Sequence, residues 1–228
     1  MEEKLKSILL LSPYYHPEPF PINSFIQSLK KKTSKITIIT SMPNYRNYGY
    51  YKNFSIFGPY SQKIDNVRIL RLPVIPRFNN KFSGIFLFYF SFFFLSFFFL
   101  FIFSLINRKK YDHFLTFCGS PVYVGFLGII FSKVINCRNS LWIQDIWPEA
   151  IQSTIGLKYK ILQKIINNLQ DYMWKKSDLI FCQSDSLTRY FLTNYKNVKA
   201  YTLLNPSREI NTTNKLYVEK KISNKKHK

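Results

Sequence analysis

The chain has 228 residues and carries 33 Lys and Arg against 12 Asp and Glu, a formal charge of +21. That length allows one good core or two small ones, and the charge calls for an anionic partner. Nucleic acid fits poorly: the charge is spread along the chain, no zinc-ligand spacing occurs, and the Phe-rich run described below has no place in a soluble nucleic-acid binder. A membrane lipid surface or a phosphorylated substrate fits better.

From the amino end, Ser7 to Leu11 is a compact apolar run closed by Ser12-Pro13, as in a buried parallel strand. It is too short for a signal-peptide core, so the chain is expected to start in the cytoplasm. After the loop YYHPEPFPIN, Ile22, Phe25, Ile26 and Leu29 recur at three and four, which predicts a helix to Lys32 with Pro21 in its first turn. Lys35 to Thr40, rich in β-branched residues, predicts a second strand and completes a βαβ unit. A loop rich in Tyr, Asn and Pro runs from Ser41 to Asn66, and Val67 to Val74 predicts a third strand, placed near an edge by its alternating Arg residues.

Ile85 to Ile106 follows: 22 residues without charge, Gly or Pro, 11 of them Phe. As a helix at ~1.5 Å per residue it would be ~33 Å long, close to the ~30 Å of a bilayer core. Arg77 and Lys81 precede it, and Arg108, Lys109 and Lys110 follow it. On a helical wheel its serines, Ser91, Ser96 and Ser104, scatter around the axis and mark no polar face. Three arrangements are open: a monotopic or re-entrant insertion, a true transmembrane span, or burial.

The second half again alternates. Strands are predicted at Tyr111–Phe117, Leu141–Gln144, Asp178–Cys182 and Ala200–Leu204, with helices at Val122–Ile135, Lys158–Trp174 and Ser184–Tyr195, the last opened by a Ser cap. From Arg208 the tail is polar and basic. This order predicts an α/β fold, a Rossmann-like doubly wound parallel sheet over residues 1–206, with the apolar helix inserted and a basic tail over 207–228. If all the strands join one sheet, the Phe-rich helix cannot carry the chain across a bilayer once. Cys118, Cys137 and Cys182 form no C-x-x-C pair, which suits free thiols in a reducing compartment.

Two stretches carry candidate chemistry. His16 and Glu18 lie where the first strand gives way to the first helix, a position at which doubly wound folds bind ligands and helix N-termini favour anions; they hold a sugar or phosphate, or they decorate a turn set by prolines. Gln144, Asp145, Trp147 and Glu149 directly follow a short strand. Such carboxylates take a proton from an attacking hydroxyl and an aromatic face packs on a sugar ring, or the stretch is a helix entry with Pro148 in its first turn. Asn44, in the Tyr-rich loop, belongs to an acceptor lid or to a stretch at a membrane interface. His113 and His227 have no partner at metal or triad spacing.

Taken in order, YYHPEPFPIN, ITIITSMPNY, NVRILRLPV, FCGSPVYVGFLG, IQDIWPEAIQSTIG (143–156), DLIFCQS (178–184) and the Leu204-Asn205-Pro206 exit resemble the N-terminal half of a family-4, GT-B-fold glycosyltransferase of the bacterial colanic-acid and O-antigen type. The resemblance implies an acceptor-binding domain that works beside a second, donor-binding domain. It implies sugar transfer from a nucleotide-sugar co-substrate, without metal or cofactor, to a glycan on a membrane lipid such as a polyprenyl diphosphate, in surface polysaccharide synthesis. It places His16, Glu18, Asn23, Asn44, Gln144 and Trp147 among the acceptor contacts, and Asp145 and Glu149 at the reacting centre. Two departures stand out: Phe20-Pro21-Ile22 replaces the Gly-Gly pair of many relatives, and Gln144 stands where they often have His. The chain stops about where the linker to the donor-binding domain would begin, so either a separate donor-binding subunit completes it or it is a truncated product. The competing expectation is a non-catalytic, single-span membrane scaffold.

Overall fold

The computed structural model describes residues 7–45, 48–78, 82–119, 122–146 and 160–205. In chain order the elements are β1 (Ser7–Leu11), α1 (Pro21–Lys30), β2 (Lys35–Ser41), β3 (Ser61–Ile64), β4 (Val67–Leu72), α2 (Phe82–Ile106) and β5 (His113–Cys118). Then come α3 (Val124–Ile135), β6 (Arg138–Ile143), α4 (Lys160–Lys176), β7 (Leu179–Cys182), α5 (Asp185–Asn194) and β8 (Ala200–Thr202).

The strands form one eight-stranded sheet in the order β3-β4-β2-β1-β5-β6-β7-β8, parallel throughout except for the β3–β4 pair. The chain winds outward from β1 through β2 to β4, returns, and winds outward the other way from β5, so the topological switch point lies between β1 and β5. β1 is buried along most of its length and reads as a continuous apolar run, as a central parallel strand must.

α1 covers one face. Ile22 and Ile26 are fully buried, packed with Leu10, Ile36 and Ile38, and Pro21 occupies the first turn. On the other face α2 packs on α3 and β4, and α3 touches α4. α5 closes that layer over β7 and β8, with Ser184 as its cap: its Oγ accepts the Leu187 N–H at 3.3 Å. α3 lies tight on the sheet through two glycines. A Cβ at Gly128 would stand 2.0 Å from Thr116 Oγ1, and one at Gly125 would stand 3.0 Å from Cys118 Sγ.

The sheet overturns the single-span expectation. β1 pairs with β5 from Ile8↔His113 to Leu11↔Thr116, and α2 lies between those strands in the chain. One crossing of a bilayer would put them on opposite sides of the membrane and break that ladder. α2 is therefore a crossover helix from β4 to β5. The loop expected over 41–66 is also corrected: it contains β3, which pairs antiparallel with β4 across Asp65-Asn66, with Asp65 at φ 54°.

Ser91, Ser96 and Ser104 of α2 are not scattered in space. Gly84, Phe88, Phe92, Ser96, Leu100 and Ser104, four residues apart, form one buried stripe, and Ser91 flanks it. A step of four turns ~40° past a full circle, so on an untwisted wheel a long stripe looks spread although its members all face inward.

Candidate functional site

The loops after β1, β2 and β4 are tied to one another at the carboxyl edge of the sheet. Glu18 is fully buried, and one oxygen accepts the Asn44 N–H at 2.8 Å and the Tyr45 N–H at 2.7 Å. Asn44 Nδ2 donates to the Met42 carbonyl at 2.7 Å, its Oδ1 accepts the Arg77 N–H at 3.1 Å, and Asn23 Nδ2 donates to the Glu18 carbonyl at 2.6 Å. Arg71, buried on β4, donates to the His16 carbonyl at 2.7 Å and to Gln62 Oε1 at 3.1 Å.

Burial dominates the electrostatics of this cluster. It raises the Glu18 carboxyl to about 7, against the two backbone N–H bonds and the Arg71 charge that favour the anion. Burial likewise lowers Arg71 to about 10. His16 points outward; partial burial, with the Arg71 and Lys30 charges, lowers its imidazole below the ordinary value. The neutral ring is then the dominant form at neutral pH, with a nitrogen free to accept a proton or a hydrogen bond.

An aromatic box joins these loops to α2. Tyr14 stacks on Phe20 at 4.1 Å between ring centres. The Arg77 guanidinium lies 5.0–5.6 Å from the rings of Tyr14, Tyr45, Phe88 and Tyr89. It donates to the Tyr14 hydroxyl and, at 2.6 Å, to the Tyr89 hydroxyl, and the two hydroxyls bond each other at 2.7 Å.

On the other side of the switch point, three carboxamides meet at the ends of β6, β7 and β8. Asn205 Nδ2 donates to Gln144 Oε1 at 2.8 Å and to Gln183 Oε1 at 2.9 Å, and Gln183 Nε2 donates to the Gln144 carbonyl. Gln144 Nε2 and Asn205 Oδ1 are buried atoms without a hydrogen-bond partner, one a donor and one an acceptor, as a sugar hydroxyl requires of its site. Asp145, next to Gln144, is exposed. Trp147 and Glu149 lie outside the described residues.

The structure thus sorts the sequence-predicted residues. One Glu18 oxygen and Asn44 hold loops together and Asn23 braces the same turn, while Glu18 Oε2 and Asn23 Oδ1 are buried without a hydrogen-bond partner. His16 and Asp145 present their side chains, and Gln144 presents a buried, unsatisfied amide. β1 and β6 are separated by β5 alone, so their ends stand roughly 10 Å apart, a gap the size of a sugar ring and its hydroxyls. Gln183 and Asn205 were not read as site residues. Their signal was position: each is a carboxamide within three residues of a strand's carboxyl end. Among the described residues no three His, Cys, Asp or Glu side chains gather as metal ligands.

A cavity of about 1000 Å³ opens at the opposite, amino edge, between α1 and β5–β7. Its polar groups are largely paired: His113 with Ser140 at 2.7 Å, and Asp178 with the Asn139 N–H at 2.8 Å. It stands away from the switch-point loops and is not assigned to the site.

No protein-family model matches the chain, and no curated protein does. Solved structures do match. A sucrose-phosphate synthase from Thermosynechococcus elongatus has a TM-score of 0.57 at 12% identity, over 87% of this chain and 48% of that one. A second sucrose-phosphate synthase structure from the same organism has a TM-score of 0.52 at 12% identity, over 94% of this chain and 96% of that one. Arabidopsis thaliana UGT89C1, complexed with quercetin, has a TM-score of 0.56 at 11% identity, over 95% of this chain and 55% of that one. These neighbours are GT-B glycosyltransferases, and at such identity the likeness is one of fold. The chain is a Rossmann-like lobe of GT-B type that spans about half the length of two of the structures it matches.

Proposed function

We propose that this chain is the acceptor-binding half of a glycosyltransferase that moves a sugar from a nucleotide-sugar to a lipid-linked glycan at the cytoplasmic face of a membrane, in surface polysaccharide synthesis. The observation that carries the reading is the match of nearly the whole chain to about half of a GT-B glycosyltransferase. The order of motifs that resembles the family-4 branch, above all Gln144-Asp145-Ile146-Trp147-Pro148-Glu149, supports the finer part.

In this reading His16 and the Gln144–Gln183–Asn205 amides hold the acceptor sugar from either side of the switch point. The acceptor hydroxyl attacks the anomeric carbon of the donor sugar. The bond from that carbon to the nucleoside diphosphate breaks, the diphosphate leaves with the electron pair, and the hydroxyl proton passes to the Asp145 carboxylate. A separate donor-binding lobe supplies the nucleotide-sugar.

The test is transfer from a panel of nucleotide-sugars to polyprenyl-diphosphate-linked glycan. The chain alone is expected to give no turnover, and turnover is expected when a donor-binding lobe is added. Robust turnover by the chain alone sinks the half-enzyme reading. Asp145→Asn is expected to leave folding intact and to lower kcat of the assembled enzyme at least ~100-fold; unchanged kcat demotes Asp145 to a helix-entry residue.

A further inference from the structure

α2 is apolar on both faces, but the two faces differ in kind. The inner stripe alternates the large Phe88, Phe92 and Leu100 with the small Gly84, Ser96 and Ser104. Ser91 Oγ donates to the Phe88 carbonyl at 2.9 Å and accepts the Ile75 N–H at 3.0 Å, and Ser104 Oγ donates to the Phe101 carbonyl at 3.0 Å. The outer face carries large residues: Phe94 is 44% exposed, Phe98 61%, Phe101 52%, Ile102 61% and Leu105 54%. Phe86, Phe90 and Phe94 run along it in ring contact at 5.7 and 4.5 Å. A helix that faces water carries polar or charged residues on such a face.

We propose that the outer face of α2 docks this lobe on an anionic lipid bilayer, with the helix lying in the plane of the membrane surface and both of its ends on the same side. Three observations select this occupant.

The first is the size and purity of the patch. Its large side chains expose on the order of 900 Å² of apolar surface, beyond the largest patch of an ordinary monomer. Over 83–106 there is no charged residue, and Ser91, Ser96 and Ser104 are buried. A protein partner of such an area expects about one hydrogen bond per 100–200 Å²; this face offers a second copy or another protein almost nothing to bond. Acyl chains need nothing.

The second is charge. Arg108, Lys109 and Lys110 are exposed directly after α2, and the Lys109 N–H donates to the Ile135 carbonyl at 2.7 Å, which fixes this basic turn against the end of α3. A basic cluster held rigidly at the end of an apolar face complements anionic headgroups.

The third is topology. The β1–β5 ladder keeps the strands before and after α2 in one body, so the helix must return to the side it left. Its length, 25 residues or ~37 Å, then runs along the surface.

The docking does not depend on the sugar-transfer reading, but it bears on it. Tyr14 and Arg77 fasten the first half of α2 to the β1 loop. The carboxyl edge of the sheet, with the candidate site, therefore stands beside the lipid.

The full chain tests this by flotation with vesicles of phosphatidylcholine alone or with roughly 30% phosphatidylglycerol added as the anionic lipid. The chain is expected to float with the anionic vesicles. Phe94→Glu with Phe98→Glu is expected to cut partition at least ~10-fold while circular dichroism is unchanged. Arg108→Ala, Lys109→Ala and Lys110→Ala together are expected to abolish the preference for phosphatidylglycerol. Should the Glu variants not fold, Phe90→Trp, Phe98→Trp and Ile106→Trp, read by brominated-lipid quenching of the emission gained over the parent chain, keep the test open: equal shallow depth at the three positions supports the proposal. Greatest depth at Phe98 with shallow ends indicates a span and overturns it. So does a chain that stays unbound to both vesicles, or a soluble dimer that Phe94→Glu dissociates. No sugar transfer is read, so failure here leaves the function assay untouched.

Discussion

α2 and α3 lie side by side in one layer, in contact through Phe97–Phe131 and Phe93–Tyr123 at 5.7 and 5.3 Å between ring centres. Both are strongly apolar, though α3 carries the exposed Lys133 and α2 carries no charge from Ser83 to Ile106. Yet α3 buries Val124, Leu127, Ile129, Phe131 and Ile135, while α2 leaves Phe86, Phe98, Ile102 and Ile106 more than half exposed. The difference comes from neighbours. α3 has the sheet beneath it and α2 and α4 against it. α2 has α3, β4 and the loops of Tyr14, Ile75 and Arg77 on its inner side, and its outer side is left exposed. An apolar helix states a demand for cover on every side; the fold decides whether protein meets it, and for the outer half of α2 it does not.

The comparison can be broken most forcefully at the buried stripe of α2. Phe92→Ala should cost about 3–5 kcal/mol, the range for a large buried aromatic, because Phe92 is as fully enclosed as any side chain under α3. Thermal unfolding of the detergent-solubilised chain reads it; a loss below ~1 kcal/mol would mean α2 is not docked on the sheet.

Titration sharpens the contrast next. The loops holding the front of α2 contain Glu18, whereas the floor of α3 contains Thr116 and Cys118. Glu18 rises from 4.5 in the unfolded chain to about 7 in the fold. A raised carboxyl favours the protonated folded form, so its contribution is complete below pH 4.5 and disappears as pH climbs through about 7. Stability should fall by roughly 3 kcal/mol across that window, and Glu18→Gln should flatten the profile. A parent profile as flat as that of Glu18→Gln would show the carboxylate to be solvated.

Close approach distinguishes α3. Gly128→Ala should cost roughly 2 kcal/mol by overpacking against Thr116, and Thr116→Ala should restore about half of it in a double-mutant cycle. Additive losses would contradict the contact. The smallest effect belongs to the outer face of α2: Phe98→Ala should change stability by less than ~0.5 kcal/mol in detergent while weakening vesicle binding. A large loss of stability would place that face inside the protein.

The doubly wound order was legible in the sequence because each strand is a short apolar run between turn signals, and β1, α1 and β2 appear within two residues of their expected ends. β3 was not legible. Ser61-Gln62-Lys63-Ile64 is polar and exposed, and only its pairing with β4 makes it a strand. β6 begins three residues early at Arg138 for a similar reason: Asn139 is polar, but Asp178 accepts its N–H and side-chain amide at 2.8 and 3.0 Å. At the site, sequence order gave Gln144 and Asp145 their place. It could not show that Glu18 turns inward to two backbone N–H groups, nor that Gln183 and Asn205, 39 and 61 residues from Gln144, close on it, because both depend on strand order rather than on local pattern.

The central claim is that the chain on both sides of α2 forms one body on one side of a membrane. Cysteine-accessibility labelling in sealed membrane vesicles tests it most directly, with Lys52→Cys before the helix and Lys175→Cys after it, both at exposed positions. Cys118 and Cys182 are buried and Cys137 half-buried, so the parent chain is the blank. Labelling of both introduced cysteines from the same side is the predicted result. Labelling from opposite sides would contradict the sheet, the in-plane helix and the shared site together.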